Sequence, residues 1–174
     1  MKRIIPLLLI IAAMAIASCS HKSSRPLQTV ASVDLQKYSG KWYEIARIPH
    51  HFEKGCSCSM AEYTPKADGS LAIINSCKKG GRIKTIHGRA RVENAPQNSQ
   101  LAVRFNFFAR GQYYIIDLAP DYSYAVVGHP SRNYLWILSR SPQLSDNTYQ
   151  TLLEKVQKLG YKYEDIKPTV QDCK

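Results

Sequence analysis

The residues of this chain that are best suited to chemistry are a histidine pair, His50-His51, and a nearby cysteine pair, Cys56-x-Cys58. Imidazole and thiolate groups are common ligands of zinc. A structural zinc site takes four such ligands at characteristic spacings, and no second spacing of this kind accompanies these residues. We therefore expect no metal and no cofactor, and we interpret the cysteines as disulfide partners in an exported protein.

Catalytic motifs are absent from the sequence. It contains no G-x-S-x-G, no phosphate-binding P-loop and no H-E-x-x-H. Glu44 taken alone is a weak candidate for a general acid or base. We therefore predict a binding protein and not an enzyme.

The amino terminus predicts export. Lys2 and Arg3 precede an apolar run of about 14 residues, which is typical of a secretory signal and is shorter than the roughly 20 residues of a transmembrane helix. Ile16-Ala17-Ser18-Cys19 resembles the lipobox of bacterial lipoproteins, in which the cysteine is acylated. We predict a signal peptide over residues 1–18, lipid attachment at Cys19, and a flexible tether over the polar residues 19–33. The remaining residues, 34–174, form one domain of ordinary size.

Four cysteines remain once Cys19 is set aside, namely Cys56, Cys58, Cys77 and Cys173. An even number in an oxidising compartment predicts two disulfides, and four cysteines allow three pairings.

The formal net charge of +11 would suit an anionic membrane surface. The same charge could indicate nucleic-acid binding, but export disfavours it, so we expect no nucleic-acid partner.

Most of the chain after Trp42 consists of short alternating segments separated by turns. The clearest is Leu101 to Phe107, in which apolar residues alternate with Arg104 and Asn106 as in a strand with one buried face. Together with the strand that contains Trp42, the segments predict eight antiparallel strands joined in sequence, and closure into a barrel would remove their edges. The other segments begin at Ser59, Leu71, Ile83, Tyr113, Tyr124 and Tyr134.

One helix is predicted near the carboxyl terminus. Ser145 is a good N-cap, Asp146 lies in the first turn, and Gly160 ends the segment. An apolar stripe that includes Leu152 and Val156 predicts packing on the outer wall of the barrel. The extended segment that follows, Tyr163 to Cys173, is expected to return to the barrel.

Three short patterns in order resemble the sequence fingerprints of lipocalins. They are Gly40-x-Trp42, the pair Asp121-Tyr122, and Arg140 at the end of YLWILSR. The resemblance covers residues 34–174 and is closest to the bacterial outer-membrane lipoprotein lipocalins, with apolipoprotein D and temperature-induced lipocalins as relatives. It implies an all-β, eight-stranded up-and-down barrel with one helix outside. It also implies that Arg140 lies across the ring of Trp42 at the closed end, so these residues determine the fold and do not contact ligand.

The resemblance also implies a disulfide pairing. Cys58 and Cys173 lie where apolipoprotein D-like members carry a bridge, which favours Cys56–Cys77 together with Cys58–Cys173. The swapped pairing is the main rival, because Cys56 and Cys58 are predicted on the same strand face.

The inward face of the barrel follows from strand alternation once Trp42 and Arg140 are taken to point inward. The resulting lining is apolar with a few phenol groups, as expected of a site for an acyl chain. The predicted lining residues are Glu44, Ala46, Leu101, Val103, Phe105, Phe107, Tyr113, Ile115, Ala125, Val127, Tyr134, Trp136 and Leu138.

The ligands implied by the resemblance are fatty acids such as palmitate, or lysophospholipids, carried or stored at the outer membrane. We expect the periplasmic face of that membrane rather than the cell surface, and a monomer or homodimer. A lipocalin-fold enzyme or a tetrapyrrole binder is the alternative.

Basic residues of the first loop, including Arg47, His50 and Lys54, are candidates to meet a ligand headgroup at the open end. Lys78, Lys79 and Arg82 occupy another turn, which could lie at either end.

Overall fold

The chain is wound into a closed antiparallel sheet in which each strand pairs with the next along the sequence and β8 returns to β1. The structure is a computed structural model that describes residues 25–106 and 109–173. The strands are β1 (Gly40–Arg47), β2 (Ser57–Pro65), β3 (Leu71–Lys79), β4 (Arg82–Val92), β5 (Gln100–Arg104), β6 (Arg110–Leu118), β7 (Tyr124–Gly128), β8 (Leu135–Ser139) and β9 (Lys167–Pro168). The eight-stranded barrel expected from alternation is confirmed.

Two helices flank the barrel strands, α1 (Leu35–Tyr38) before β1 and α2 (Asp146–Lys158) after β8. The side chain of Ser145 accepts a hydrogen bond from the backbone N–H of Thr148, so it caps α2 as predicted. Leu152, Leu153 and Val156 are buried beneath α2. They belong to an outer core between the helix and the barrel wall, together with Ile137 of β8. None of the described helices is long and apolar enough to cross a bilayer.

The short strand β9 takes the place of β2 beside the second half of β1. β2 pairs with Gly40 to Tyr43, whereas Lys167 and Pro168 pair with Ala46 and Arg47. The side-chain amide of Gln171 donates to the carbonyls of Glu44 and Ser59, each at 2.8 Å. The carboxyl-terminal segment therefore bridges the gap that opens between β1 and β2.

Two disulfides fix this region, Cys56–Cys77 and Cys58–Cys173. This is the pairing implied by the family resemblance. The first joins the loop after β1 to β3, and the second joins the carboxyl-terminal segment to β2.

The segment predicted as a flexible tether differs from that expectation over its second half. Residues 1–24, which include the predicted signal peptide and Cys19, lie outside the described part of the chain. Leu27 and Val33, by contrast, are buried against the barrel. The backbone N–H of Val30 donates to the carbonyl of Ile115 at 3.0 Å, and that of Val33 donates to the carbonyl of Gln97 at 2.7 Å. The few apolar side chains of this polar segment are enough to hold it on the wall.

Candidate ligand-binding site

One end of the barrel is closed by the residues of the three fingerprints. The guanidinium carbon of Arg140 lies 3.8 Å from the ring centroid of the fully buried Trp42. The two terminal nitrogens of Arg140 donate to the carbonyls of Lys41 and Lys37, each at 2.7 Å. The indole N–H of Trp42 donates to the carbonyl of Tyr38. Each of these polar groups is satisfied within the protein, so this end is a structural plug.

Backbone geometry explains the other fingerprint residues. Gly40 has a φ of +90°, and a Cβ at this position would lie 3.5 Å from Arg140 Nη1. Tyr122 adopts a φ of +60°, which aims its carbonyl at Arg140 Nε and its hydroxyl at the backbone N–H of Asp34. Asp121 accepts hydrogen bonds from the backbone and side chain of Ser123 and so fixes the turn.

Three buried phenols, those of Tyr38, Tyr113 and Tyr63, form a hydrogen-bonded chain next to this plug. The hydroxyl of Tyr113 is 2.7 Å from that of Tyr38 and 2.9 Å from that of Tyr63. Burial raises the pKa of Tyr63 to about 12 and raises the pKa values of the other two phenols as well. Only Tyr113 was predicted to face inward. Ala61 of β2 pairs with the inward-facing Trp42, and Tyr63 lies two residues further along the same strand. Strand alternation therefore places Tyr63 on the inward face as well.

The inner core contains most of the residues predicted to line the barrel. Its apolar members, buried or partly buried, include Leu101, Val103, Phe105, Tyr113, Ile115, Ala125, Val127, Trp136 and Leu138. Leu71, Ile73 and Ala90 of β3 and β4 also belong to it and were not predicted. Phe107 lies outside the described residues. That these residues contact a ligand stays a prediction.

Burial of the inward side chains decreases from the plug to the open end. Leu101 and Ile115 are fully buried, whereas Val103, Phe105 and Trp136 are only partly buried. Ile86, which shares the face of Ile73 and Gly88, is 44% exposed. An open depression of about 910 Å³ has a mixed lining: Gly88, Val103, Phe105 and Gly111 face inward, whereas Arg89, Ala102 and Gln112 are among those that face outward. The inward side chains are therefore less covered toward the open end.

Ala46 does not line the barrel, and that part of the prediction is wrong. Glu44 pairs with Leu138 but Ala46 pairs with Ile137, so one extra residue is inserted in β1. Such a bulge reverses the alternation of side chains beyond it. Ala46 consequently packs in the outer core beneath α2, and Arg47 is placed opposite the inward-facing Trp136.

Because of this bulge, a charged cluster lies at the mouth of the barrel. Arg47 donates to the carboxylate of Glu44, and Thr169 Oγ1 donates to Glu44 Oε1 at 2.5 Å. Arg47 Nε lies 3.7 Å from Glu53 Oε2, which also accepts a hydrogen bond of 3.3 Å from the indole N–H of Trp136. One guanidinium therefore serves two poorly exposed carboxyl groups.

These surroundings disfavour charge on the carboxyl groups. Burial and the neighbouring Glu44 raise the pKa of Glu53 to about 7, and burial raises the pKa of Glu44. Arg47 opposes both effects. Near neutral pH Glu53 therefore keeps its proton in part of the molecules.

His50 was a candidate cation of the mouth, but the structure makes it a neutral ring. Its ring lies 4.8 Å from Phe52, 4.6 Å from Tyr134 and 5.2 Å from Trp136. Burial, with Arg47 and His51 nearby, lowers the pKa of His50 to about 4. Tyr134 lies just before β8 and stacks on Trp136 with ring centroids 6.2 Å apart, so it belongs to this aromatic group.

Besides the exposed Lys54 of the first loop, the β3–β4 hairpin supplies cations at the mouth. The turn after β3 lies at the same end as the loop after β1, because Cys77 is bonded to Cys56 and Lys79 Cε lies within 4 Å of the Cβ position of Gly55. By strand pairing, Lys79, Arg82 and Lys84 share the inward face of Ile73 and Gly88. The hairpin therefore supplies an exposed basic rim.

Comparison with known proteins agrees with this architecture. The family model described as "Lipocalin-like domain" matches residues 33–171. This chain is a lipocalin. It is 37% identical over 156 residues to "Outer membrane lipoprotein Blc" of Escherichia coli K12, with 86% of each chain covered. It is 32% identical to "Temperature-induced lipocalin-1" of Arabidopsis thaliana, with 84% of each covered. It is 35% identical to "Apolipoprotein D" of Bos taurus, covering 83% of this chain and 84% of the relative.

A solved structure supports the fold of this lipocalin independently. Insecticyanin from Manduca sexta superimposes with a TM-score of 0.68 at 22% identity, covering 83% of this chain and 84% of its own. Membership of the family assigns to the barrel the binding of a small hydrophobic ligand. Within residues 25–106 and 109–173, no group of three His, Cys, Asp or Glu side chains is placed to hold a metal ion.

Proposed function

We propose that this lipocalin carries or stores fatty acids or lysophospholipids in the bacterial envelope. The observation that carries the proposal is the gradient along the inward face. Fully buried apolar residues lie above the Trp42 plug, partly exposed ones follow, and charged residues surround the mouth. An acyl chain would lie along the apolar part with its headgroup among the charges.

The energetics allow such a ligand to bind. An acyl chain of about 16 methylenes gains at most roughly 12 kcal/mol, at about 0.8 kcal/mol for each methylene removed from water. Ordering the chain and fixing the ligand oppose this gain by several kcal/mol. Micromolar to submicromolar dissociation constants follow.

The headgroup would meet the basic rim and not Arg47. Arg47 is already engaged by Glu44 and Glu53, so its charge is largely compensated. Lys79, Arg82 and Lys84 share the inward face of the β3–β4 hairpin and are exposed. Their ammonium and guanidinium groups suit a carboxylate or a phosphate.

The cellular location is proposed from Cys19 and from the relatives. The lipobox resemblance predicts acylation of Cys19, and the similarity to outer membrane lipoproteins of Escherichia coli supports an envelope location. Ser20 is uncharged, which favours the outer membrane over retention in the inner one. We place the barrel on its periplasmic face. Intact-mass analysis of the membrane fraction should show an acylated residue 19 as the new amino terminus; release of a Cys19→Ala variant from that fraction would support the same assignment.

Ligand binding is tested by fluorescence of Trp136. Delipidated protein is titrated with palmitate and with a lysophospholipid, and saturable quenching at one ligand per barrel is expected. Gly111→Phe fills an inward position opposite Val103 and should weaken binding at least tenfold. Ala72→Phe adds the same ring on the outward face of β3, between the buried Leu71 and Ile73, and should bind like the wild type.

The ligand recovered from the complex separates carriage from catalysis. Mass spectrometry should return the added lipid unchanged, whereas turnover would indicate an enzyme. The proposal fails if neither lipid quenches Trp136, or if Gly111→Phe binds as tightly as Ala72→Phe.

A further inference from the structure

The described chain begins at the open end of the barrel. The carbonyl of Arg25 accepts a 2.8 Å hydrogen bond from Arg132 Nη2, and Arg132 lies in the turn between β7 and β8. Leu27 then packs beside Gly128, the last residue of β7. Because β7 runs from the closed end to the open end, the chain enters the fold at the mouth.

This entry point limits where a lipid on Cys19 can lie. Cys19 precedes Arg25 by six residues, and an extended chain spans at most about 3.5 Å per residue, so the reach is about 20 Å. The eleven-residue strand β4 alone is roughly 35 Å long. A lipid anchor at Cys19 therefore holds the open end close to the bilayer and leaves the plug at Trp42 farther away.

The tip of the β3–β4 hairpin, residues 78–86, projects from the same end with an unusual surface. Two of its apolar side chains are exposed, Ile83 at 67% and Ile86 at 44%. No acidic residue occurs between positions 69 and 92. Phe52 in the neighbouring loop is 54% exposed. The basic residues of the tip are Lys78, Lys79, Arg82 and Lys84.

Exposed aliphatic groups among uncompensated cations suit a membrane interface. Each lysine or arginine near an anionic lipid surface raises the affinity of a protein for the membrane roughly fivefold. Insertion of an isoleucine side chain is also favourable, because it removes apolar surface from water. We propose that the tip of the β3–β4 hairpin docks on anionic lipid headgroups, with Ile83 entering the interface and the barrel mouth turned toward the bilayer. This inference rests on the proposed lipid anchor at Cys19, which brings the tip within reach of the membrane.

The docking is tested on the mature protein bound to vesicles of phosphatidylcholine with 30% phosphatidylglycerol. Ile83→Trp reports insertion through quenching by brominated acyl chains, after subtraction of the wild-type signal. Lys66→Trp places the same probe on the exposed β2–β3 turn at the plug end. We expect several-fold stronger quenching at position 83 than at position 66, and a loss of that difference in pure phosphatidylcholine.

Charge reversal provides a matched comparison in the Ile83→Trp background. Lys79→Glu with Arg82→Glu should abolish most of the quenching and weaken co-sedimentation of unacylated protein at least twentyfold. Lys41→Glu with Lys66→Glu makes the same change in net charge at the plug end and should have little effect. The inference is overturned if both pairs behave alike, or if positions 83 and 66 are quenched equally.

Intact mass separates the docking surface from the anchor. If residue 19 is acylated and Ile83→Trp is not quenched, the anchor stands and the docking surface is rejected. If residue 19 is not acylated, co-sedimentation that depends on Lys79 and Arg82 supports the docking surface alone, and its absence rejects it.

Discussion

Replacing Glu53 by glutamine should change the dependence of stability on pH in a direction fixed by the mouth cluster. In the folded protein the pKa of Glu53 is raised from its ordinary value of 4.5 to about 7. Between these pH values the folded state holds a proton that the unfolded chain releases. The free energy of unfolding therefore falls as the pH rises through this window. At about 1.4 kcal/mol per pKa unit, the effect is on the order of 3 kcal/mol.

His50 produces the opposite slope. Its pKa is lowered from 6.5 to about 4, so between these values the unfolded chain binds a proton that the folded state does not. The free energy of unfolding therefore rises from pH 4 to pH 6.5, by at most about 3 kcal/mol, because this ring is only half-buried and solvent screens part of the effect. In the wild type the slope from His50 opposes the slopes from Glu53 and from Glu44, whose pKa is also raised.

The Glu53→Gln variant retains a side chain that can accept from Trp136 but has no carboxyl proton to gain or lose. Its free energy of unfolding should rise by about 3 kcal/mol from pH 4 to pH 6.5 relative to the wild type, because Glu53 no longer offsets the slope from His50. Urea denaturation at half-unit pH steps measures this difference. Glu154→Gln, on the exposed face of α2, should keep the wild-type profile. Parallel profiles for Glu53→Gln and the wild type would refute the protonation assigned to Glu53.

Two further predictions concern the plug and the disulfides. Arg140→Ala removes the contact with the Trp42 ring and three hydrogen bonds to carbonyls, so it should lower the free energy of unfolding by about 3 kcal/mol or more, and Arg140→Lys should lose roughly half of that. Urea titration of both variants checks this, and a loss below about 0.5 kcal/mol for Arg140→Ala would contradict it. Replacing Cys58 and Cys173 by serine opens a separation of 115 residues and should cost up to about 5 kcal/mol, against about 3 kcal/mol for the separation of 21 residues between Cys56 and Cys77. Denaturant midpoints in the reverse order would exclude loop closure as the main source of this stabilisation.

Alternation and the fingerprint residues were sufficient to predict the barrel. The seven strands β2 to β8 begin within three residues of their predicted starts, because period-two apolar patterns follow glycine- or proline-rich turns. Most of the inward face followed from the positions of Trp42 and Arg140. Leu71, Ile73 and Ala90 belong to the same inner core but were not assigned to a face from sequence.

The mouth could not be predicted in the same way, because its geometry depends on a single inserted residue. Nothing in GKWYEIAR marks the bulge after Glu44, yet the bulge moves Ala46 outward and brings Arg47 opposite Trp136. The neutral state of His50 likewise depends on aromatic neighbours from β8 and from its own loop. The path of residues 25–33 depends on the burial of Leu27 and Val33 against the barrel wall. The composition of this polar segment does not reveal that burial.

Gln171 bridges the carbonyls of Glu44 and Ser59 and thereby holds the carboxyl-terminal segment between β1 and β2. This placement affects where a tag can be attached to the protein. Both ends of the described chain emerge near the opening of the cup, Arg25 beside the β7–β8 turn and Cys173 beside Cys58. A tag or fluorescent protein joined close to Arg25 or Cys173 would therefore lie beside the mouth, where we propose that ligand enters. The exposed β2–β3 turn around Gly69, at the far end, is the better place for an inserted label.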